Sequence, residues 1–201
     1  MRGIALAAEA SGADQVARDF FSAGLNPRLV SGGQSIKWSK LLTNLQANAS
    51  AALLNMRPAD LFAHAGVFSM EMRMLREALL VMSQSGISTV DLPKTPVNGL
   101  RLLATRIPAW LGRPLAVRLL GKGRGDKMPS FHIDLHAGRK QSEVGDLNGA
   151  VVRAAEKLGL PAPVNAFLTS QLQAMAAGKI PLNTYDHLPE RLLEDLAKFT
   201  K

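Results

Sequence analysis

From Ile36 to Phe199 the chain reads as one helix after another, and the stops between those helices constrain its fold more than any other feature. Apolar residues recur at helical spacing over residues 36–55, 59–64, 67–85, 97–120, 143–158 and 163–177, and a short amphipathic helix from Pro189 to Phe199 follows. Arg57-Pro58, Gly86, Pro93, Pro96, the run Gly121 to Gly125 and Gly159 to Pro163 separate them, each a place where a helix loses a donor or gains backbone freedom. Such a pattern predicts a mainly α, multi-helix domain. Ahead of it, residues 12–24 carry a helical pattern ending at Gly24, Pro27 to Val30 reads as extended, and Ser31-Gly32-Gly33 breaks the chain. No earlier strand is read, so this opening is expected to be the tail of a β/α unit.

Composition narrows the functions open to such a domain. At 201 residues, 47% hydrophobic and 20% charged, the chain is long and apolar enough to bury a core. It has no cysteine, which removes disulfides and thiolate metal sites. Four histidines remain; only His132 and His136 have i,i+4 spacing, and Asp134 between them does not complete a metalloprotease pattern, so they read as surface residues. The N-terminal run from Ile4 to Ala8 is cut short by Glu9 before it makes a signal peptide, and no run reaches the ~20 apolar residues of a membrane span. The expectation is a cytoplasmic protein with no membrane partner.

The formal charge of +8 favours anionic partners. It is concentrated in Arg101, Arg106, Arg113, Arg118, Lys122, Arg124 and Lys127, opposed in that stretch only by Asp126. With Trp110 alone among them, the stretch lacks the aromatic platform of a single-strand nucleic-acid binder, which argues against nucleic acid. A solvated face is the first reading, and help in binding a cofactor phosphate the second. Gly121-Lys122-Gly123-Arg124-Gly125 is not a dinucleotide turn, because its third glycine comes too early and no strand leads in; it reads as a loop.

One stripe stands out against the helical background. Lys40, Asn44 and Asn48 follow one another at four-residue intervals beside Leu41, Leu42 and Leu45. On a continuous helix such steps put one ammonium and two amides on a single face, at a cost in helix propensity and, for a buried lysine, in desolvation. A solvated helix face explains the spacing as well as a bound polar ligand does. Further on, Ser130 after Pro129 can cap a helix, and Ser142 with Glu143 can open the next; the helix dipole alone explains an acid there.

Taken in order, Trp38-Ser39-Lys40-Leu41 with Asn44 and Asn48, Pro129-Ser130 with Asp134, Gly138-Arg139, Ser142-Glu143, Leu147-Asn148-Gly149 and Gly159 to Asn165 resemble the C-terminal domain of ketopantoate reductases over about residues 25–180. The resemblance implies a helical domain similar to that of 6-phosphogluconate dehydrogenase over residues 35–201. Residues 1–34 would then be a short β/α remnant of a Rossmann domain, its last helix and strand. It also implies an NADPH-dependent 2-dehydropantoate 2-reductase that reduces a 2-keto acid to a 2-hydroxy acid on the way to pantothenate and coenzyme A. Lys40 resembles the catalytic lysine and Glu143 its partner carboxylate, while Asn44, Asn48 and Ser130 resemble the substrate-binding residues. Lys127 stands where relatives often have an asparagine, which leaves the particular 2-keto acid open.

No G-x-G-x-x-G occurs in the chain. The 201 residues alone are therefore expected not to turn over, and no cofactor-binding residue is assigned. An alternative of another class is a non-catalytic helical module whose exposed face serves dimerisation, and a homodimer is compatible with either reading.

Overall fold

Ala47 stands in the left-handed region, at φ 52°, and ends what the spacing reads as one long helix. In this computed structural model, which describes residues 3–123, 128–139 and 142–201 (backbone only for 119–123), α2 spans Gly33–Leu45 and a separate helix, α3, spans Asn48–Leu54. The cause is tertiary. Glu71, fully buried, accepts the Ala47 N–H at 2.9 Å and the Ser50 hydroxyl at 2.6 Å, serving the first turn of α3 from a helix more than twenty residues away. Lys40 and Asn44 thus share α2, but Asn48 does not continue their stripe. Lys40 is exposed, so the desolvation cost considered for it does not arise.

The N-terminal segment also differs from expectation. Gly3–Ala7 forms strand β1, Ala13–Ser22 helix α1 and Asn26–Val30 strand β2, and the two strands pair in parallel from Gly3 opposite Asn26 to Ala7 opposite Val30. A β-α-β unit is present rather than its tail. Strands of this kind read as continuous apolar runs without alternation, which is why Ile4-Ala5-Leu6-Ala7 resembles a leader more than a strand.

Around these the helical body follows the proline and glycine stops. Helix α4 (Pro58–Ala63), α5 (Ala65–Gln84), α6 (Val97–Thr105), α7 (Ala109–Gly123), α8 (Ser130–His136), a 3₁₀ turn (Glu143–Gly145), α9 (Asn148–Lys157), α10 (Pro163–Ala176) and α11 (Pro189–Phe199) complete it. The basic stretch read as one helix is two, split at Pro108, and α7 runs through Gly121 and Gly123 where a loop was expected. Arg124, Asp126 and Lys127 lie outside the described residues.

Helix α5 is the axis of the core and packs against α2, α4, α6, α7, α9, α10 and α11. Its buried residues, among them Met70, Met72, Met74 and Met82, cover most of its circumference, and unbranched thioether side chains suit contact with neighbours arriving at several angles. Every residue of α3 is buried, and its Leu53 and Leu54, each fully enclosed, contribute about 1.5–3 kcal/mol apiece.

At the C-terminus, Tyr185 donates to Gln171 or Asp195, each oxygen 3.1 Å away, beneath α11. Burial, then the Asp195 charge, pushes its phenol up to about 12 from an ordinary 10. A folded pKa above the unfolded one means the folded chain holds the proton more tightly, so stability is retained below pH 10 and falls between about 10 and 12. Urea midpoints measured across that window should fall for the native chain, and the Tyr185→Phe variant should lack this component of the fall.

Candidate active site

Residues from α2, α3, α8 and the 3₁₀ turn meet around a cavity of about 430 Å³, lined by Asn44, Asn48, Met128, Pro129, Ser130, Ile133, Glu143 and Leu147. Four of the five residues singled out in the sequence line it together. The fifth, Lys40, lies one turn before Asn44 on the same helix, exposed and outside the lining. Neither an ion pair nor a hydrogen bond joins Lys40 to Glu143 among the described residues.

The break after α2 sets the geometry. It turns Asn48 toward the start of α8, where its Oδ1 accepts the Phe131 N–H at 3.1 Å. An amide N–H can only donate, so that bond fixes the side chain and points Nδ2 the other way. Nδ2 donates to the Asn44 carbonyl at 3.2 Å and, over a longer 3.4 Å, to the Ser130 hydroxyl oxygen. Asn48 is therefore committed to the protein on both ends. Because the Ser130 oxygen is accepting, its hydrogen remains free to donate into the cavity. Ser130 itself does not cap α8; the N-cap is Pro129, and Asn48 does the capping across space.

Asn44 has no side-chain partner among the described residues, which leaves an amide donor and acceptor in the lining. Glu143, exposed, opens the 3₁₀ turn, which Ser142 caps: Val144 N donates to its hydroxyl at 3.2 Å. The cavity thus offers an unpaired amide, a hydroxyl donor and a carboxylate, with an ammonium one turn away. Met128, Ile133 and Leu147 form an apolar wall that the polar spacing gave no means of finding.

The other motif residues have structural work. Glu77 accepts from Val164 N at 2.9 Å, Asn165 N at 3.0 Å and Asn165 Nδ2 at 2.7 Å, capping α10; burial raises its carboxyl above the usual range against the pull of those donors. Asn148 Nδ2 donates to Asn165 Oδ1 at 3.0 Å and ties α9 to α10. His132 and His136 stack with ring centroids 4.1 Å apart, and His132 Nε2 lies 2.7 Å from Asn55 Oδ1 at the end of α3. Burial, then the neighbouring ring, lowers the His132 pKa. No cluster able to hold a metal occurs among the described residues, and none of their helices is long and apolar enough to cross a membrane.

The turn between β1 and α1 does not have the features of a dinucleotide cradle. Ala8-Glu9-Ala10-Ser11-Gly12 lacks a glycine-rich turn, and the Glu9 carboxylate takes the Gly32 N–H at 3.0 Å together with that of Gly33. Those N–H bonds, Gly33's above all, hold Glu9 below the usual carboxylate range.

Comparison with known proteins matches this architecture. The family profile described as "Ketopantoate reductase PanE/ApbA C terminal" covers residues 34–176. No curated protein sequence matches. A PanE/ApbA family ketopantoate reductase from Ralstonia eutropha JMP134 superposes with a TM-score of 0.68 at 22% identity, over 89% of this chain and 52% of that one. A putative 2-dehydropantoate 2-reductase from Enterococcus faecalis gives 0.59 at 23%, over 83% and 48%. A D-mandelate dehydrogenase solved with NADH gives 0.67 at 19%, over 88% and 55%. The chain spans about half the length of these three proteins. With 34–176 matched by the profile and the helical fold shared, the chain belongs to the ketopantoate reductase family, as its C-terminal domain.

Proposed function

We propose that this chain supplies the substrate-binding and proton-donating half of an NADPH-dependent 2-dehydropantoate 2-reductase, reducing a 2-keto acid to a 2-hydroxy acid in pantothenate formation. The observation that carries the reading is the Asn48–Ser130 contact, in which the Ser130 oxygen accepts and its hydrogen is left free to donate in a cavity shared with Asn44 and Glu143. In this reading Ser130 donates to the substrate carboxylate and Asn44 orients the ketone and hydroxyl oxygens. Asn48 holds Ser130 and the start of α8 in place. Lys40 Nζ, on a flexible stem one turn before Asn44, stabilises the charge growing on the ketone oxygen and delivers its proton. Glu143, across the cavity, receives the hydroxyl of the substrate and attracts the ammonium inward. Residues 1–34 act as the end of a nucleotide-binding domain and 35–201 as the substrate domain. The reduced nicotinamide supplies hydride, and other parts of the enzyme hold it, since the turn after β1 does not.

Pantoate, the expected product, tests the half-site directly. It should raise the melting temperature of the chain in proportion to the logarithm of its concentration, and Ser130→Ala should abolish the shift. The chain alone should bind without oxidising NADPH. Absence of any shift up to solubility would remove the substrate-site assignment.

A further inference from the structure

A second cavity, of about 640 Å³, lies between the end of α5, the loop after it and α6, and the reductase reading leaves it without a role. Its floor is apolar: Leu79, Met82 and Ile87. Its wall carries Ser83, Ser88 and Asn98, and Arg101 and Arg106 stand at its edge with no carboxylate in the lining.

Five arginines elsewhere are committed to partners within the protein. Arg57 and Arg139 pair with aspartates, while Arg76, Arg113 and Arg153 donate to backbone carbonyls. Arg101 and Arg106 have no side-chain partner among the described residues, and nor do the hydroxyls of Ser83 and Ser88. The nearby Asp91 is already engaged, accepting the Asn98 N–H at 2.8 Å. The last carbonyls of α5 are also closed off, by the N–H groups of Ser85, Gly86 and Ile87, so that helix end offers the cavity little acceptor character.

Two guanidiniums suit an oxyanion that accepts several hydrogen bonds at once, and phosphate matches their planar fork. Phosphate alone would leave the apolar floor wet, and a cavity of this size takes a small organic molecule. We propose that this cavity binds a phosphate monoester with an apolar body, its phosphate between Arg101 and Arg106 and its carbon skeleton on Leu79, Met82 and Ile87. The basic stretch of the sequence would then owe part of its charge to this site.

The test titrates the ¹⁵N-labelled chain with inorganic phosphate and with phenyl phosphate, against sodium chloride at matched ionic strength. Saturable shifts are expected at the amides of Ser88, Thr89, Asn98 and Thr105, with phenyl phosphate binding roughly tenfold tighter or more because it covers the floor. R101A/R106A, which removes two exposed side chains without internal bonds, should weaken both ligands about tenfold or more while the remaining spectrum is unchanged. Shifts that do not saturate, that chloride reproduces, that persist in R101A/R106A, or that favour inorganic phosphate over phenyl phosphate would each overturn the proposal.

Discussion

Lys40→Ala is expected to lower kcat by about 10²–10⁴-fold, with KM changed far less, in the reductase assembled with its nucleotide-binding domain. The size follows from what the ammonium is asked to do. A ketone oxygen gains a full negative charge as it is reduced, and a positioned cation that also delivers a proton acts on that charge more strongly than on the neutral ketone. Because Lys40 is exposed and its side chain bonds to nothing described, the substitution should leave thermal stability within about 0.5 kcal/mol. Steady-state rates with ketopantoate, read beside a melting curve, separate the two effects. A variant retaining turnover within twofold would show that proton delivery comes from elsewhere. Asn44→Ala provides the contrast: it should act mainly on KM, since an orienting amide serves substrate and transition state alike.

Which of these features could be read from the amino acids depends on whether their cause is local. The starts of α4, α10 and α11 coincide with Pro58, Pro163 and Pro189, where the ring fixes φ and the missing donor is one a first turn never uses, and the sequence places them within a residue. The break after α2 has no such mark. Gln46 and Ala47 are good helix formers, and the left-handed turn there exists because a carboxylate on α5 accepts its N–H, a contact no window of neighbouring residues contains. The site shares that history: Lys40, Asn44, Asn48, Ser130 and Glu143 are identifiable as a set from their order, whereas Asn48's commitment to Phe131 and Asn44, and the free hydrogen it leaves on Ser130, arise only when α3 meets α8. The two arginines of the second cavity were visible as charge, but the loop hydroxyls they face precede them in sequence on another element.

Glu71→Ala should cost the chain about 3 kcal/mol, which for a domain of this size lowers the melting temperature by roughly 6–12 °C. Glu71 is fully enclosed and serves at least two buried donors, Ala47 N and Ser50 Oγ, so truncation leaves both without their acceptor in a site too enclosed for bulk water. Glu71→Gln keeps one acceptor oxygen and turns an NH₂ toward a second donor, so its loss should be smaller but not negligible. The consequence reaches the cavity. Once the Ala47 N–H is released, α2 and α3 lose the contact that defines their angle, and Asn48 no longer meets Phe131 and Ser130 together. The Asn48 side-chain ¹⁵N resonances should shift in Glu71→Gln even where urea midpoints show the chain still folded, and pantoate affinity should fall with them. Unmoved Asn48 resonances in a destabilised Glu71→Gln chain would confine Glu71 to stability and leave the site's geometry to α8.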